Sequence, residues 1–212
     1  MTSVYLVRHG QTEWNRELRF RGRADIPLNE NGHKQASAIA DTLKDKGINA
    51  IYTSPLRRSI ETARPAAAVL HLDITTVQGF IDISYGEWEG LAYEEVRRRY
   101  AKLYREWEER PHLVKFPKGE SLDDVSRRSF SAFTEIVEKN SGKSILIIPH
   151  RVVNKVLLCA LLGLSNSHFW SIHQDTGCIN VIEYSNRRFV LVRMNDTCHL
   201  RGISMEMAQV DF

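Results

Sequence analysis

Short apolar runs alternating with helically spaced segments constrain this chain more than any other feature of its sequence. Residues 3–7 read as a buried strand, 48–53 and 72–77 as further strands, and 144–148 as a strongly apolar one. Between them, residues 32–46 place Ala36, Ile39, Ala40 and Leu43 at helical spacing, with Gly47 at the C-capping position. Ser54-Pro55 reads as an N-cap followed by proline at the first helical position, and Pro65 is expected to kink or break that helix. Residues 80–90 look irregular, 93–110 read as one helix rich in both charge signs, and 112–120 as a loop. Ser121 opens a further helix with a cap-like pattern. An apolar helix is expected over 152–162, and 180–184 with 189–194 form a hairpin around Ser185–Arg188. Strands alternating with helices imply an α/β fold with a largely parallel sheet.

Length and composition narrow the function classes. The 212 residues suit one domain, and 42% hydrophobic with 26% charged residues is ordinary globular usage. No run of about 18 apolar residues is present, so no membrane span is expected. The N-terminus meets Arg8 and His9 too soon for a signal peptide, which places the expectation in the cytoplasm. The net charge of +3 suits a small anionic substrate and not nucleic acid, which calls for a clustered basic face. Arg97, Arg98, Arg99, Lys102 and Arg105 are interleaved with Glu94, Glu95, Glu106, Glu108 and Glu109, which reads as a solvated, salt-bridged helix face. Cys159, Cys178 and Cys198 are odd in number and far apart, so they read as buried thiols and not as a disulfide or zinc framework. Asp123-Asp124 could resemble metal-binding carboxylates, but acidic residues in a first helical turn complement the helix dipole, and no metal is expected.

Ligands of parallel α/β sheets bind beyond the carboxyl ends of the strands. That rule selects Arg8-His9-Gly10, Ser54 to Arg58, and Pro149-His150-Arg151. Two histidines and several arginines then converge on one edge. Arginine forks match phosphate oxygens, and helix N-termini following Ser54 and His150 add positive dipole ends. Like charge keeps a histidine among arginines neutral, and neutral imidazole is a competent nucleophile toward phosphorus. The departing oxygen then needs an acid, for which residues 81–90 offer Asp82, Glu87 and Glu89.

These residues carry a resemblance. Leu6-Val7-Arg8-His9-Gly10-Gln11-Thr12-Glu13-Trp14-Asn15 resembles the signature of the histidine phosphatase (phosphoglycerate-mutase-like) superfamily. The resemblance continues in order through Gly22-Arg23-Ala24-Asp25-Ile26-Pro27-Leu28, Tyr52 to Arg58 with Glu61-Thr62-Ala63, Gly86-Glu87-Trp88-Glu89-Gly90 and His150. Residues 110–121 and 195–200 look most like cofactor- and metal-independent bacterial phosphatases, phosphoserine phosphatases among them. The resemblance implies a three-layer α/β/α sandwich, a single domain over 1–212 with a helical insertion at about 80–140 covering the active site, and no cofactor. It makes His9 the nucleophile, with Arg8, Arg58 and His150 clamping the phosphoryl oxygens and Asn15 binding phosphate or ordering the loop. Asp82 falls where the family has a glutamate acid, one methylene longer. Gly22, Arg21, Tyr85 and Arg151 are expected to line the substrate pocket; Arg151 stands where small residues are common and could meet a substrate carboxylate or crowd the site. Arg57 is read as solvated. Trp14 and Trp88 could frame the entrance or pack in the core.

The expected activity is hydrolysis of a small phosphomonoester, phosphoserine among the options. A phosphoglycerate mutase and a catalytically weak phospholigand-binding protein are the competing readings. A homodimer is compatible with the resemblance, with the hairpin 180–194 as a candidate edge.

Overall fold

The computed structural model describes residues 1–203; the last part of the expected 1–212 domain, 204–212, lies outside the described residues. Strands β1 (Thr2–Val7), β2 (Ile48–Thr53), β3 (Ile74–Thr76), β4 (Ser144–Ile148), β5 (Ile179–Ser185) and β6 (Arg188–Asp196) form one sheet in the order β3-β2-β4-β1-β5-β6. The first four run parallel, β5 lies antiparallel to β1, and β6 returns along β5. The β5–β6 turn places Asn186 and Arg187 at φ 50° and 59°, the left-handed pair that a two-residue hairpin turn demands.

The period-two alternation of the strands builds two cores. Val4, Leu6, Ile145 and Ile147 face α6 (Leu122–Lys139) and α7 (Arg151–Leu161), which bring Phe133, Val137, Val153 and Val156. Val7, Leu146, Ile148 and Ile51 face α2 (Glu30–Leu43) and α3 (Arg57–Leu70), which bring Ile39, Leu43, Ala63 and Ala66. Helices on both faces of a mostly parallel sheet give the three-layer α/β/α sandwich that the sequence implies. No helix among the described residues is long and apolar enough to cross a membrane.

Between β3 and α6 the chain makes 3-10 turns at Gln78–Phe80 and Gly86–Trp88, then α4 (Tyr93–Arg99), α5 (Ala101–Glu109) and a further turn at Pro111–Leu113. Phe20, Tyr85, Trp88, Trp107 and Phe116 interlock edge-to-face with ring centroids 4.9–6.5 Å apart, tying this segment down. A short α1 (Glu13–Arg16) follows the first strand–loop junction.

Several local expectations are corrected. Residues 93–110 form two helices, broken at Tyr100 (φ −125°), whose ring packs 5.8 Å from Trp88 and whose hydroxyl donates to Glu87 at 3.3 Å. Pro65 sits inside an unbroken α3. Interior proline costs about 3 kcal/mol, yet the helix continues, with Ala63 and Ala66 on either side buried in the core. Ser54 is not the cap of α3, which starts at Arg57 with Leu56 in the N-cap position. Asp25 reaches across to accept from the Arg57 amide at 2.7 Å and supplies the missing capping oxygen. Cys159 and Cys178 are buried thiols as read, but Cys198 is exposed. The expected cap at Ser121 is present, as a reciprocal box with Asp124.

Candidate active site

Because β2, β4 and β1 are neighbours, their carboxyl ends place Ser54, His150 and His9 side by side. The junctions are tied through the backbone: Ser54 N donates to Ile148 O at 3.1 Å and His9 N to Pro149 O at 3.4 Å. The first turn of α3 adds Arg58 to the cluster, and the irregular segment after β3 adds Asp82. His9, Arg8, Arg58, His150, Arg151 and Asp82 are all buried. The Arg8-His9-Gly10 loop rests on the start of α2, where a Cβ on Gly10 would meet the Gly32 carbonyl at 2.7 Å; only glycine allows that approach.

Hydrogen bonds fix the roles of the ring nitrogens. His9 Nδ1 donates to the Gly10 carbonyl at 2.7 Å, so the proton sits there and Nε2 keeps its lone pair. The His9 and His150 rings meet edge-on, 5.1 Å between centroids. His150 Nδ1 accepts from Arg58 Nε at 3.2 Å, which leaves its Nε2–H to donate to Ser54 Oγ at 2.7 Å. Arg58 is fully buried. Its two terminal nitrogens donate to Ala24 O at 2.8 Å, Gly22 O at 2.8 Å and Asp82 Oδ2 at 3.0 Å. Gly22 holds φ at +49°, and a Cβ there would strike the Glu89 carboxylate at 2.5 Å, so glycine is required where its carbonyl meets Arg58. Arg8 donates through Nη1 to the Gln174 carbonyl, and Gln174 is itself held by Asn154 at 3.1 Å and Asn180 at 2.8 Å.

The electrostatics follow from burial among cations. Desolvation, then Arg58, His150 and Arg8, hold the His9 pKa well below that of ordinary histidine. Desolvation and Arg58 do the same to His150. Both imidazoles are therefore neutral at physiological pH. Their depressed folded pKa values also set a sign for stability. Below about pH 6.5 the unfolded chain binds protons that the folded histidines refuse, so stability is full above that pH and falls as acid is added. Melting temperatures from about pH 8 to about pH 5 are expected to decline on the acid side. His9→Gln and His150→Gln should each flatten that decline; an unchanged slope in both would contradict it.

The other expected site residues are placed as follows. Asn15 Oδ1 accepts from Thr12 N at 2.9 Å and Thr12 Oγ1 at 2.8 Å, the loop-ordering half of its expected role. Arg21 donates through Nη1 to Trp14 O at 3.2 Å, while its buried Nε meets no acceptor among the described residues. Burial and the nearby charges of Arg8, Arg151 and Arg58 push the Arg21 guanidinium down to about 9. Arg151 opens α7 directly beside His150. The Tyr85 ring belongs to the aromatic core, and Trp88 is fully buried there too. Glu87 pairs with Lys118 at 3.0 Å on the surface, and Glu89 accepts from the amides of Tyr85 and Arg23 at 3.1 and 3.3 Å. Arg57 points outward and pairs with Glu61 at 2.7 Å. Among the described residues no three His, Cys, Asp or Glu side chains gather to hold a metal ion.

The sequence reading did not identify Gln174, or Ser54 as the partner of His150. It also missed Thr62, whose hydroxyl accepts from Gly10 N at 3.0 Å. Ser54 and Thr62 both lay in quoted motif stretches, so position alone could have flagged them. Nothing local marks Gln174.

Comparison with known proteins follows the same geometry. The sequence model described as histidine phosphatase superfamily (branch 1) matches residues 4–197. The chain is 37% identical to phosphoserine phosphatase 1 of Hydrogenobacter thermophilus over 206 residues, 97% of this chain and 98% of that one. Among solved structures, YhfR of Bacillus stearothermophilus superposes with a TM-score of 0.91 at 32% identity, over 94% of this chain and 100% of that one. A phosphoserine phosphatase mutant from Entamoeba histolytica, solved in complex with phosphoserine, gives 0.85 at 27% identity, again over 94% and 100% of the two chains.

Proposed function

The chain belongs to branch 1 of the histidine phosphatase superfamily and is a phosphatase of that superfamily; we propose that it hydrolyses a small phosphomonoester through a phosphohistidine on His9. The observation that carries this reading is the Gly10 carbonyl on His9 Nδ1, which leaves a lone pair at Nε2 of a neutral, buried imidazole. Arg8, Arg58 and His150 surround that ring, and the two guanidiniums bring the positive charge that a phosphoryl dianion needs.

In the first half-reaction Nε2 attacks phosphorus, the P–O bond to the leaving group breaks, and the acid form of Asp82 gives its proton to the departing oxygen. In the second, the Asp82 carboxylate takes a proton from water, the hydroxide attacks phosphorus, and the P–N bond breaks to release phosphate and neutral His9. Every step uses protein groups alone, so we take the reaction to be metal-independent. The segment over 80–140 supplies Asp82 and, in this reading, closes the site.

The preferred substrate in this reading carries a carboxylate as well as the phosphate, with phosphoserine foremost. Three lines support it: the phosphoserine phosphatase relatives, Arg151 beside His150, and the Arg21 guanidinium, lowered first by burial and then by the charges of Arg8, Arg151 and Arg58. The test is phosphate release in EDTA from phosphoserine, 3-phosphoglycerate and phosphoethanolamine, the last lacking the carboxylate. Phosphoserine is expected to be hydrolysed best. Arg21→Met should raise its KM about 10- to 100-fold, the worth of a hydrogen bond between charged groups, and leave phosphoethanolamine nearly unaffected. Equal effects on both would remove the carboxylate from the reading. Isomerisation of phosphoglycerate with little phosphate release would replace the phosphatase by a mutase.

A further inference from the structure

The chain holds Asp82 through its backbone as well as its side chain, and the group that does so is Arg128, in the middle of α6. Its Nη1 donates to Gly79 O at 2.9 Å and to Ile81 O at 2.6 Å. Its Nη2 donates to Asp82 O at 3.1 Å. The other side of the guanidinium forms a two-pronged pair with Glu120, Nε to Oε1 at 2.9 Å and Nη2 to Oε2 at 3.0 Å. Glu120 Oε2 in turn accepts from the Ser84 amide at 3.0 Å. One ion pair therefore grips the backbone on both sides of Asp82, at residues 79, 81, 82 and 84. Arg23 closes the arrangement, reaching Glu120 at 3.2 Å and the Asp82 carbonyl at 3.4 Å.

The grip matters because aspartate is short. A carboxyl group one carbon from the backbone has little torsional freedom with which to correct a misplaced main chain, so the position of its proton follows the position of its Cα. The segment that carries it is irregular, two 3-10 turns joined by residues without ladder hydrogen bonds, so its position depends on contacts from α6 and from Glu120. A planar fork with five donors can hold several carbonyls at once, which a lysine ammonium cannot do in the same plane.

We infer that Arg128, oriented by Glu120, is the positioning residue for the acid of this reaction. The inference rests on the reading of Asp82 as that acid. Arg128 touches no reacting atom; it sets where Asp82 Oδ2 stands relative to the leaving oxygen.

The test compares phosphoserine, whose alkoxide leaving group needs a proton, with p-nitrophenyl phosphate, whose leaving group does not. Arg128→Lys keeps the charge and loses the fork. It is expected to lower the single-turnover rate of serine release from phosphoserine at least about 10-fold, with half-saturation within about twofold, and to leave the single-turnover release of nitrophenolate nearly unchanged; misplacing a catalytic group by about an ångström costs on this scale. Glu120→Gln retains an acceptor for Arg128 and should give a smaller loss of the same pattern. Should Arg128→Lys fail to fold, Glu120→Gln carries the same comparison. Equal losses on both substrates, or none, would overturn the inference. Asp82→Asn, run in the same assay, separates the two levels. If it too affects both substrates equally, the acid reading fails and the inference with it; if it spares p-nitrophenyl phosphate while Arg128→Lys does not, only the positioning role is lost.

Discussion

His9→Ala is expected to lose turnover by on the order of 10⁴-fold or more on every phosphomonoester, because no other group in the cluster can take the phosphoryl group. The neighbouring imidazole is not a substitute: His150 Nδ1 faces Arg58 and its Nε2–H is committed to Ser54 Oγ. Binding should survive. Arg8 is anchored by Gln174, and Arg58 by Gly22, Ala24 and Asp82, none of which depends on the His9 ring. Removing the ring also removes a group whose protonation would oppose the arginines, so inorganic phosphate should bind the variant within a few-fold of the unaltered chain. The check is steady-state phosphate release alongside calorimetric titration with phosphate. A variant that retains more than about a hundredth of the activity would exclude His9 as the nucleophile.

The second large effect is expected at Asp82. Asparagine has the same shape but one amide oxygen, so it keeps only one of the two contacts that Asp82 accepts, from the Ile83 amide on Oδ1 or from Arg58 Nη2 on Oδ2, each 3.0 Å. It cannot deliver an acid proton. Asp82→Asn should therefore lower kcat for an alkyl phosphate by on the order of 10²- to 10³-fold, the usual worth of a general acid, while the first half-reaction of p-nitrophenyl phosphate loses little. The measurement is the single-turnover rate of leaving-group release for the two esters. A loss of the same size in both would assign Asp82 to holding Arg58 and not to proton transfer.

The convergence of His9, Arg58 and His150 was legible in the sequence because it follows from topology. Parallel strands that pair as β2-β4-β1 must bring their carboxyl ends together, and the motif residues stand at those ends. The strongly apolar run 144–148 likewise marked a strand covered on both faces, and Ile145 and Ile147 do face one helical layer while Leu146 and Ile148 face the other. What escaped the reading depends on contacts between distant segments. Asp25 capping α3 from 32 residues away freed Ser54 for His150, and no local pattern could show that. The helix α3 runs intact through Pro65, where propensity alone argued for a break, and buries Ala63 and Ala66 on either side of it. The split of 93–110 at Tyr100 comes from a ring seated on Trp88. Arg128 reads in sequence as one more cation on a helix, and Tyr85, taken for a pocket-lining residue, is engaged in an aromatic cluster assembled from four separate segments.

The central claim is the covalent intermediate, and one measurement addresses it directly: alkaline quench of the enzyme during turnover of p-nitrophenyl phosphate, followed by peptide mass analysis. It should be made on the unaltered chain and on Asp82→Asn, which also slows the hydrolytic half and lets the intermediate accumulate. The account predicts a base-stable, acid-labile phosphoryl group on the peptide containing His9, formed as fast as nitrophenolate is released and absent from His9→Ala. Continued hydrolysis with His9 unmodified in both proteins, or a phosphoryl group on another residue, would contradict it.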